Sequence, residues 1–160
     1  MKIKFLTATV ALTLVAGFVA EVSAQPNPNL LINSRKGAMA LQGKYFGPIV
    51  AMSQGRMPYD AAIVQRNADY LAVLTQLAWD DFQPITVGVA NSRTKEEAFK
   101  DPAKFKAAMD GFQVEVKKLV AAARGADQAG VTAAVKAVGG SCNSCHESFA
   151  TFEFKVYRAQ

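Results

Sequence analysis

The stretch VTAAVKAVGGSCNSCHESFATFEFKV, residues 131–156, decides the fold because an apolar stripe and two cysteines share one face of a helix. Apolar residues and cysteines recur along it at alternating intervals of four and three residues, which is the spacing of one face of an α-helix. The stripe consists of Val131, Val135, Val138, Cys142, Cys145, Phe149, Phe152 and Val156. We therefore expect both cysteines to face the interior of the protein.

Residues 142–146 read Cys-Asn-Ser-Cys-His, the C-x-x-C-H pattern that is typical of c-type haem attachment. The chain has no other cysteine and no other histidine. Two thiols add to two vinyl groups of a haem, and the imidazole of the next residue binds the iron. At about 100° per residue of helix, Cys142, Cys145 and His146 project within an arc of roughly 100°, so that one porphyrin can contact all three.

Three other interpretations of the cysteine pair fit the sequence less well. A disulfide between Cys142 and Cys145 has poor geometry inside a helix. A thioredoxin-like redox site requires a βαβ context, which the flanking sequence lacks. A structural zinc site needs four ligands, and the chain has no second cysteine pair.

The N-terminus has the three parts of a secretory signal peptide. Residues 1–4 are basic, residues 5–20 are apolar and uncharged, and residues 22–24 (Val-Ser-Ala) match a small-residue cleavage site. We expect residues 1–24 to be removed and residues 25–160 to form one domain, with an uncleaved membrane anchor as the alternative. Export and a haem motif together predict a periplasmic protein without stable membrane association after cleavage.

The charge pattern argues against nucleic acid as a partner. The formal net charge is +5, but the basic residues are scattered among acidic ones and form no block interleaved with aromatics. A solvated surface is the simplest interpretation, and a basic face for an acidic redox partner is the alternative. Carboxylates such as those at residues 80–81 and 96–97 form no acid/base arrangement with the motif, so we do not expect an enzyme.

Helical periodicity continues through most of residues 25–160, with little sign of β-strands. We predict helices at about residues 29–54, 60–80, 101–125 and 127–157. Asp101 followed by Pro102 is a strong start signal for the third helix. Residues 83–100 form a long connection, and such loops often cover the edge of a cofactor. Four amphipathic helices predict an all-α fold, an antiparallel four-helix bundle with covalent haem c.

The other three helices carry stripes of their own. The stripe of the first helix is Ile32, Arg35, Met39, Gln42 or Gly43, Phe46 and Val50. The stripe of the second is Ile63, Asn67, Tyr70, Leu74 and Leu77, and that of the third is Phe105, Met109, Phe112, Val116 and Leu119.

A bundle with C-x-x-C-H in its last helix resembles the class II c-type cytochromes, which are the cytochromes c′ and their relatives of the cytochrome c-556 type. Class I cytochromes c carry the motif near the N-terminus, so its position separates the two classes. The resemblance spans residues 25–160 and rests on four matches. These are Arg35-Lys36 with Met39, residues 55–60 (Gly-Arg-Met-Pro-Tyr-Asp), residues 79–82 (Trp-Asp-Asp-Phe), and residues 142–147 followed by Phe149.

The resemblance implies one haem c attached to Cys142 and Cys145, with His146 as an axial ligand of the iron. It also implies that Arg35 neighbours a haem propionate and that Met39 faces the iron from the other side.

Two positions depart from the family pattern. Lys36 stands where the family has Gln, and it can still reach a propionate. Ala150 stands where the family commonly has a basic residue, which changes the electric field and the solvent access near His146.

The residue opposite His146 decides between two functions. As in cytochromes c′, an unbound Met39 leaves the iron five-coordinate and high-spin, and the protein binds small gases such as nitric oxide or carbon monoxide or exchanges electrons with a redox partner. As in cytochromes c-556, Met39 binds the iron, and the protein is a low-spin electron carrier. Arg35, one turn before Met39, favours the first function. The other candidate ligands are Met52, Met57, Met109 and, more remotely, a lysine.

The resemblance also implies a homodimer through the first two helices, with a monomer as the alternative. The apolar residues expected at that interface are Phe46, Ile49, Met52 and Ile63. The aromatic residues of the tail, which we expect to extend the core, are Phe152, Phe154 and Tyr157.

Overall fold

The computed structural model describes residues 26–152, and these residues form an all-α bundle. Its helices are α1 (Pro28–Ser53), α2 (Ala61–Leu74), α3 (Glu97–Lys100), α4 (Pro102–Arg124) and α5 (Gln128–Phe149), with 3₁₀ turns at Trp79–Asp81 and Pro84–Thr86. The predicted signal peptide and the tail residues Phe154, Val156 and Tyr157 lie outside the described residues. Within the described part, no helix is long and apolar enough to span a membrane.

Each of the four long helices begins at an Asn or Asp whose side chain accepts a hydrogen bond from a backbone amide of the first turn. Asp101 Oδ1 accepts from the Lys104 amide at 2.9 Å, and the carboxylate of Asp127 accepts from the amides of Ala129 and Gly130, each at 3.0 Å. Asn27 and Asp60 cap α1 and α2. The predicted start of the third helix is therefore confirmed.

The four long helices pack in a ring in which α1 contacts α2, α2 contacts α4, α4 contacts α5 and α5 contacts α1. Short connections after α1 and α4 make the helices that they join antiparallel. The apolar stripes meet at the centre of the ring, and burial of each large aliphatic side chain contributes about 1.5–3 kcal/mol. The side chains with almost no exposed surface include Ile49, Val64, Leu71, Val116, Leu119, Val131, Val135 and Val138. The predicted four-helix bundle is confirmed.

The second helix is shorter than predicted, and its buried face is displaced by about one residue from the predicted stripe. It ends at Leu74, and at this end Gln42 donates to the Leu74 carbonyl at 3.3 Å and Gln113 donates to the Thr75 carbonyl at 3.1 Å. Trp79 also donates its indole N–H to the Thr75 carbonyl. Side chains thus donate hydrogen bonds to carbonyls that would accept from backbone amides in a longer helix. Of the predicted stripe, Tyr70 and Leu77 are exposed, and the buried face is Val64, Asn67, Ala68 and Leu71.

The last helix also ends earlier than predicted, at Phe149. Ala150 is extended (φ −109°, ψ 145°) and forms an isolated antiparallel bridge with Thr94. The chain therefore leaves the helical direction before Phe152, whose side chain is 37% exposed and does not join the core stripe.

Three of the four residues predicted for a dimer interface are buried within one chain. Phe46, Ile49 and Met52 are at most 3% exposed because they fill the core between the helices. The choice of these three residues was wrong, since a residue closed inside the bundle cannot contact a second copy.

The connection between α2 and α3 packs against α1 and closes one end of the bundle. Its ring Phe82 lies 4.9 Å from Phe105 of α4, centroid to centroid, and Phe105 lies 5.1 Å from Phe149 of α5. Trp79 stacks on Phe82 at 5.8 Å. This aromatic cluster brings the connection beside the C-terminal half of α5, where the C-x-x-C-H motif lies.

Candidate cofactor site between the first and last helices

Helix α5 presents Cys142, Cys145 and His146 to one cavity of about 360 Å³. An adjoining cavity of about 520 Å³ is also lined by Cys142 and His146. Neither cysteine is in a disulfide. Among residues 26–152, no group of three or more His, Cys, Asp or Glu side chains is placed to hold a metal ion by itself.

Burial sets the protonation of these three side chains. It raises the pKa of the Cys142 thiol to about 12, with a further contribution from the neighbouring Cys145, and it raises the pKa of the Cys145 thiol. Burial also lowers the pKa of His146. At neutral pH the site therefore contains two protonated thiols and a neutral imidazole, the form of histidine that binds metals.

The facing wall comes from α1. Arg35, Lys36 and Met39 all line the cavity of about 360 Å³, so the structure brings all six sequence-predicted site residues to one place. Residues common to both cavities come from three helices and the segment after α5, and they are Met39, Gln42, Phe112, Cys142, His146 and Phe152. Met39 of α1 and His146 of α5 therefore border the same space.

The other methionines lie elsewhere. Met52 is 2% exposed inside the core, Met57 is exposed in the turn after α1, and Met109 packs against the aromatic cluster. Within residues 26–152, Met39 is thus the one methionine that lines either cavity.

Arg35 places a buried positive charge at the cavity. Its Nη1 donates to Thr86 Oγ1 at 3.1 Å, and its Cζ lies 4.7 Å from the centroid of the Phe82 ring. Burial lowers the pKa of Arg35, and the charge of Asp81 opposes that shift. A guanidinium stays charged at physiological pH all the same. Other basic residues that line the two cavities are Lys36, Arg56 and Arg93, and no Asp or Glu is among the described lining residues.

The sequence patterns missed one wall of the cavity. Trp79, Phe82, Arg93 and Thr94 line it from the connection between α2 and α3. The length of that connection, which agrees with a covering role, and the family match of residues 79–82 were the signals for this wall. Nothing in the periodicity singled out Arg93, because its position depends on backbone pairing with the segment after α5.

The donor set and the walls fit a covalently attached haem c. The two free thiols and the neutral imidazole are the groups that such a haem requires. Aromatic and aliphatic side chains suit the macrocycle, and the cations suit its anionic propionates.

The sequence and the fold are similar to those of known haem proteins. The family model described as "Cytochrome C'" matches residues 31–150. A cytochrome c' of Rubrivivax gelatinosus is 37% identical over 122 residues, which cover 76% of this chain and 95% of that protein. A cytochrome c-556 of Agrobacterium tumefaciens (strain II Chrys) is 34% identical over 119 residues, 74% of this chain and 94% of that protein.

Solved structures give the same result. The nitric oxide complex of a mutant of cytochrome c prime from Alcaligenes xylosoxidans matches with a TM-score of 0.74 and 33% sequence identity. That match covers 79% of this chain and 98% of the other. A carbon monoxide-bound variant of the same protein matches with the same TM-score, identity and coverage.

Proposed function

The chain belongs to the cytochrome c′ family, and from this premise we propose that it is a haem c protein whose iron is five-coordinate and binds small gases. The cofactor is one covalently bound haem c, as in other members of the family. The observation that carries the proposal is the similarity, at 33% sequence identity, to cytochrome c prime structures with bound nitric oxide or carbon monoxide. Met39 and His146, on facing helices, line the same two cavities.

When bound, haem c would supply an iron that exchanges one electron and can bind a small ligand. Cys142 and Cys145 would hold the macrocycle through two thioether bonds. His146 would bind the iron through its neutral imidazole, and burial favours that neutral form because it lowers the pKa of the side chain.

The remaining walls select what reaches the site. Arg35 would balance the charge of a propionate, since it is buried and lines the cavity, whereas Asp81, whose charge acts on Arg35, is not among the lining residues. Met39 brings an apolar side chain to the same two cavities as His146, where it would limit the space for a ligand. Phe82 and Phe105 line the cavity with apolar rings, which favour a small uncharged gas over a hydrated anion.

A second candidate function is that of a low-spin electron carrier in which Met39 binds the iron. Two observations favour it. Met39 is the one described methionine at the cavity, and a cytochrome c-556 is 34% identical to this chain. A thioether opposite a histidine raises the reduction potential of a haem.

Optical spectra of the purified holoprotein, with and without carbon monoxide, separate the two candidates. We expect a broad high-spin ferric spectrum and a ferrous band that shifts when carbon monoxide is added. We also expect Met39→Ala to change the affinity for carbon monoxide but not the coordination number of the iron. Met57→Ala is the matched control, because Met57 is exposed and lines neither cavity.

The opposite result would be a far-red methionine–iron band in the ferric protein, insensitive to carbon monoxide and lost in Met39→Ala. That result would replace gas binding by the electron-carrier function.

We propose in addition that residues 1–24 are a cleaved signal peptide, that residues 25–160 form the bundle, and that the protein is periplasmic. The basic n-region, the apolar segment and the small residues at 22–24 support this proposal. The intact mass of the protein purified from periplasmic extract should correspond to a chain that begins at Gln25 and carries one haem.

A further inference from the structure

We propose that Arg93 is a positioning residue for His146 and acts through the ring of Phe152. The proposal rests on the proposed function, since it concerns the histidine of the haem site. Arg93 belongs to the connection between α2 and α3, far in sequence from the motif, and it lines the same cavity as His146 and Phe152.

Backbone pairing brings Arg93 to the motif. The Lys95 amide donates to the Phe149 carbonyl at 2.8 Å, and the Thr151 amide donates to the Arg93 carbonyl at 2.9 Å. Thr94 and Ala150 form the antiparallel bridge between these two bonds. The short pairing of residues 93–95 with residues 149–151 thus fixes the direction in which the chain leaves α5. The Phe149 carbonyl that accepts from Lys95 lies at the end of α5, where carbonyls have no partner amide within the helix.

A side-chain bond extends this pairing to the residue next to the histidine. Lys95 Nζ donates to the Glu147 carbonyl at 2.7 Å. A lysine ammonium at this place also interacts favourably with the negative end of the α5 dipole. The last turn of α5, which contains His146, is therefore fixed from outside the helix.

The contact with the imidazole runs through one aromatic ring. The Phe152 ring lies 5.7 Å from the His146 ring, centroid to centroid, with an angle of 54° between the planes. The Arg93 Cζ lies 5.1 Å from the centroid of Phe152. Phe152 is 37% exposed, so burial alone does not fix its ring, and the guanidinium of Arg93 contributes a cation–π contact.

Two consequences for the iron follow, and they have the same sign. Arg93 adds a positive charge near the histidine ligand, and it keeps Phe152 over the imidazole so that less water reaches it. Loss of the charge and entry of water each favour the more positive ferric state. Arg93→Ala should therefore lower the reduction potential and change the iron–histidine stretching band of the ferrous protein.

The experiment compares holoprotein variants by redox titration and by resonance Raman spectroscopy of the ferrous state. Arg93→Ala should lower the potential and shift or broaden the iron–histidine band, and Arg93→Lys should restore most of the potential. Phe152→Leu should change the band while it keeps the charge. Arg124→Ala is the matched control, since Arg124 is exposed on α4, pairs with Asp69 at 3.2 Å and lines neither cavity.

The proposal is overturned if Arg93→Ala and Arg124→Ala have the same potential and the same band as the unmodified protein. A haem mass and a pyridine haemochrome spectrum measured on each sample separate this outcome from a failure of the proposed function. If the unmodified protein carries no covalent haem, or shows no iron–histidine band, the proposed function itself is wrong.

Discussion

The two walls of the cavity are built from different kinds of sequence information. On the α5 wall, Cys142, Cys145 and His146 lie within five consecutive residues, and helical geometry alone brings them to one face. On the facing wall, Arg35 and Met39 come from α1, about a hundred residues earlier in the chain. The α5 wall depends on residues that are close in sequence, whereas the wall opposite depends on tertiary contacts. Substitutions in the two walls should therefore affect different properties of the protein.

The largest effect should come from the local wall. The double variant Cys142→Ser/Cys145→Ser should abolish covalent attachment completely, because no other thiol exists in the chain to form a thioether. Intact mass and the pyridine haemochrome spectrum measure the loss. The exposed serine variant Ser144→Ala is the control in the same motif and should retain the full haem mass.

Attachment that persisted in the double variant would show that the haem is not bound through the motif. The α5 wall would then not be the site of haem attachment.

The second effect concerns the thiols before attachment. Burial raises the pKa of the Cys142 thiol from 9.0 to about 12, so at pH 8 the folded haem-free chain should contain about a thousandfold less Cys142 thiolate than the unfolded chain. Alkylation by iodoacetamide, which requires the thiolate, should slow by a similar factor. Peptide mass spectrometry measures the rate at Cys142 across pH 7–11, with the urea-unfolded chain as reference and circular dichroism as a check of folding.

We expect the alkylation rate of the folded chain to rise with pH throughout that range. A rate that reached a plateau near pH 9 would mean that the thiol is in contact with water, and the cysteines would then not lie on the buried side of α5.

The third effect tests the assembled wall. Thr86 is fully buried, accepts from Arg35 Nη1 at 3.1 Å and donates to the Gln83 carbonyl at 2.7 Å. Thr86→Val keeps the shape but leaves a guanidinium N–H without this acceptor, which should lower the free energy of unfolding by about 1.5–3 kcal/mol. Urea unfolding of the holoprotein measures this change in the free energy of unfolding.

Thr132→Val is the matched control, because the Thr132 hydroxyl donates to Gln128 within the exposed first turns of α5. Its effect should stay within about 0.5 kcal/mol. Equal effects at the two threonines would mean that the Arg35 contact does not hold the connection against α1.

The same contrast between local and tertiary information explains what could be predicted from the sequence. The four-three spacing along α5 and the N-cap at Asp101 are local patterns, and both the buried face of α5 up to Phe149 and the start of α4 were predicted correctly. The ends of α2 and α5 were not, because they depend on side chains and backbone from other segments. Gln113 takes the Thr75 carbonyl, and Thr94 pairs with Ala150.

The site follows the same rule. The C-x-x-C-H motif predicted the positions of Cys142 and His146, and the resemblance to the class II cytochromes predicted that Met39 faces them; all three line one cavity. The position of Arg93 at the cavity depends on a backbone pairing between segments about 55 residues apart, and the hydrophobic periodicity of the sequence does not predict this pairing. Three of the four residues proposed for a dimer interface, Phe46, Ile49 and Met52, were wrong for a related reason, since these apolar positions of α1 are buried in the core of one chain.

The smallest expected effect tests how far α5 depends on its own local signals. Asp127 accepts hydrogen bonds from the amides of Ala129 and Gly130 at the N-terminus of α5. Asp127→Ala should lower the free energy of unfolding by about 1 kcal/mol. Asp110→Ala removes the exposed pair with Lys106 but gains helix propensity, so it should change the free energy of unfolding by less than about 0.5 kcal/mol. Urea unfolding of both holoproteins gives the comparison. An effect of Asp127→Ala no larger than that of Asp110→Ala would mean that tertiary packing, rather than its cap, sets the start of α5, and the α5 wall would then be as dependent on distant contacts as the wall that faces it.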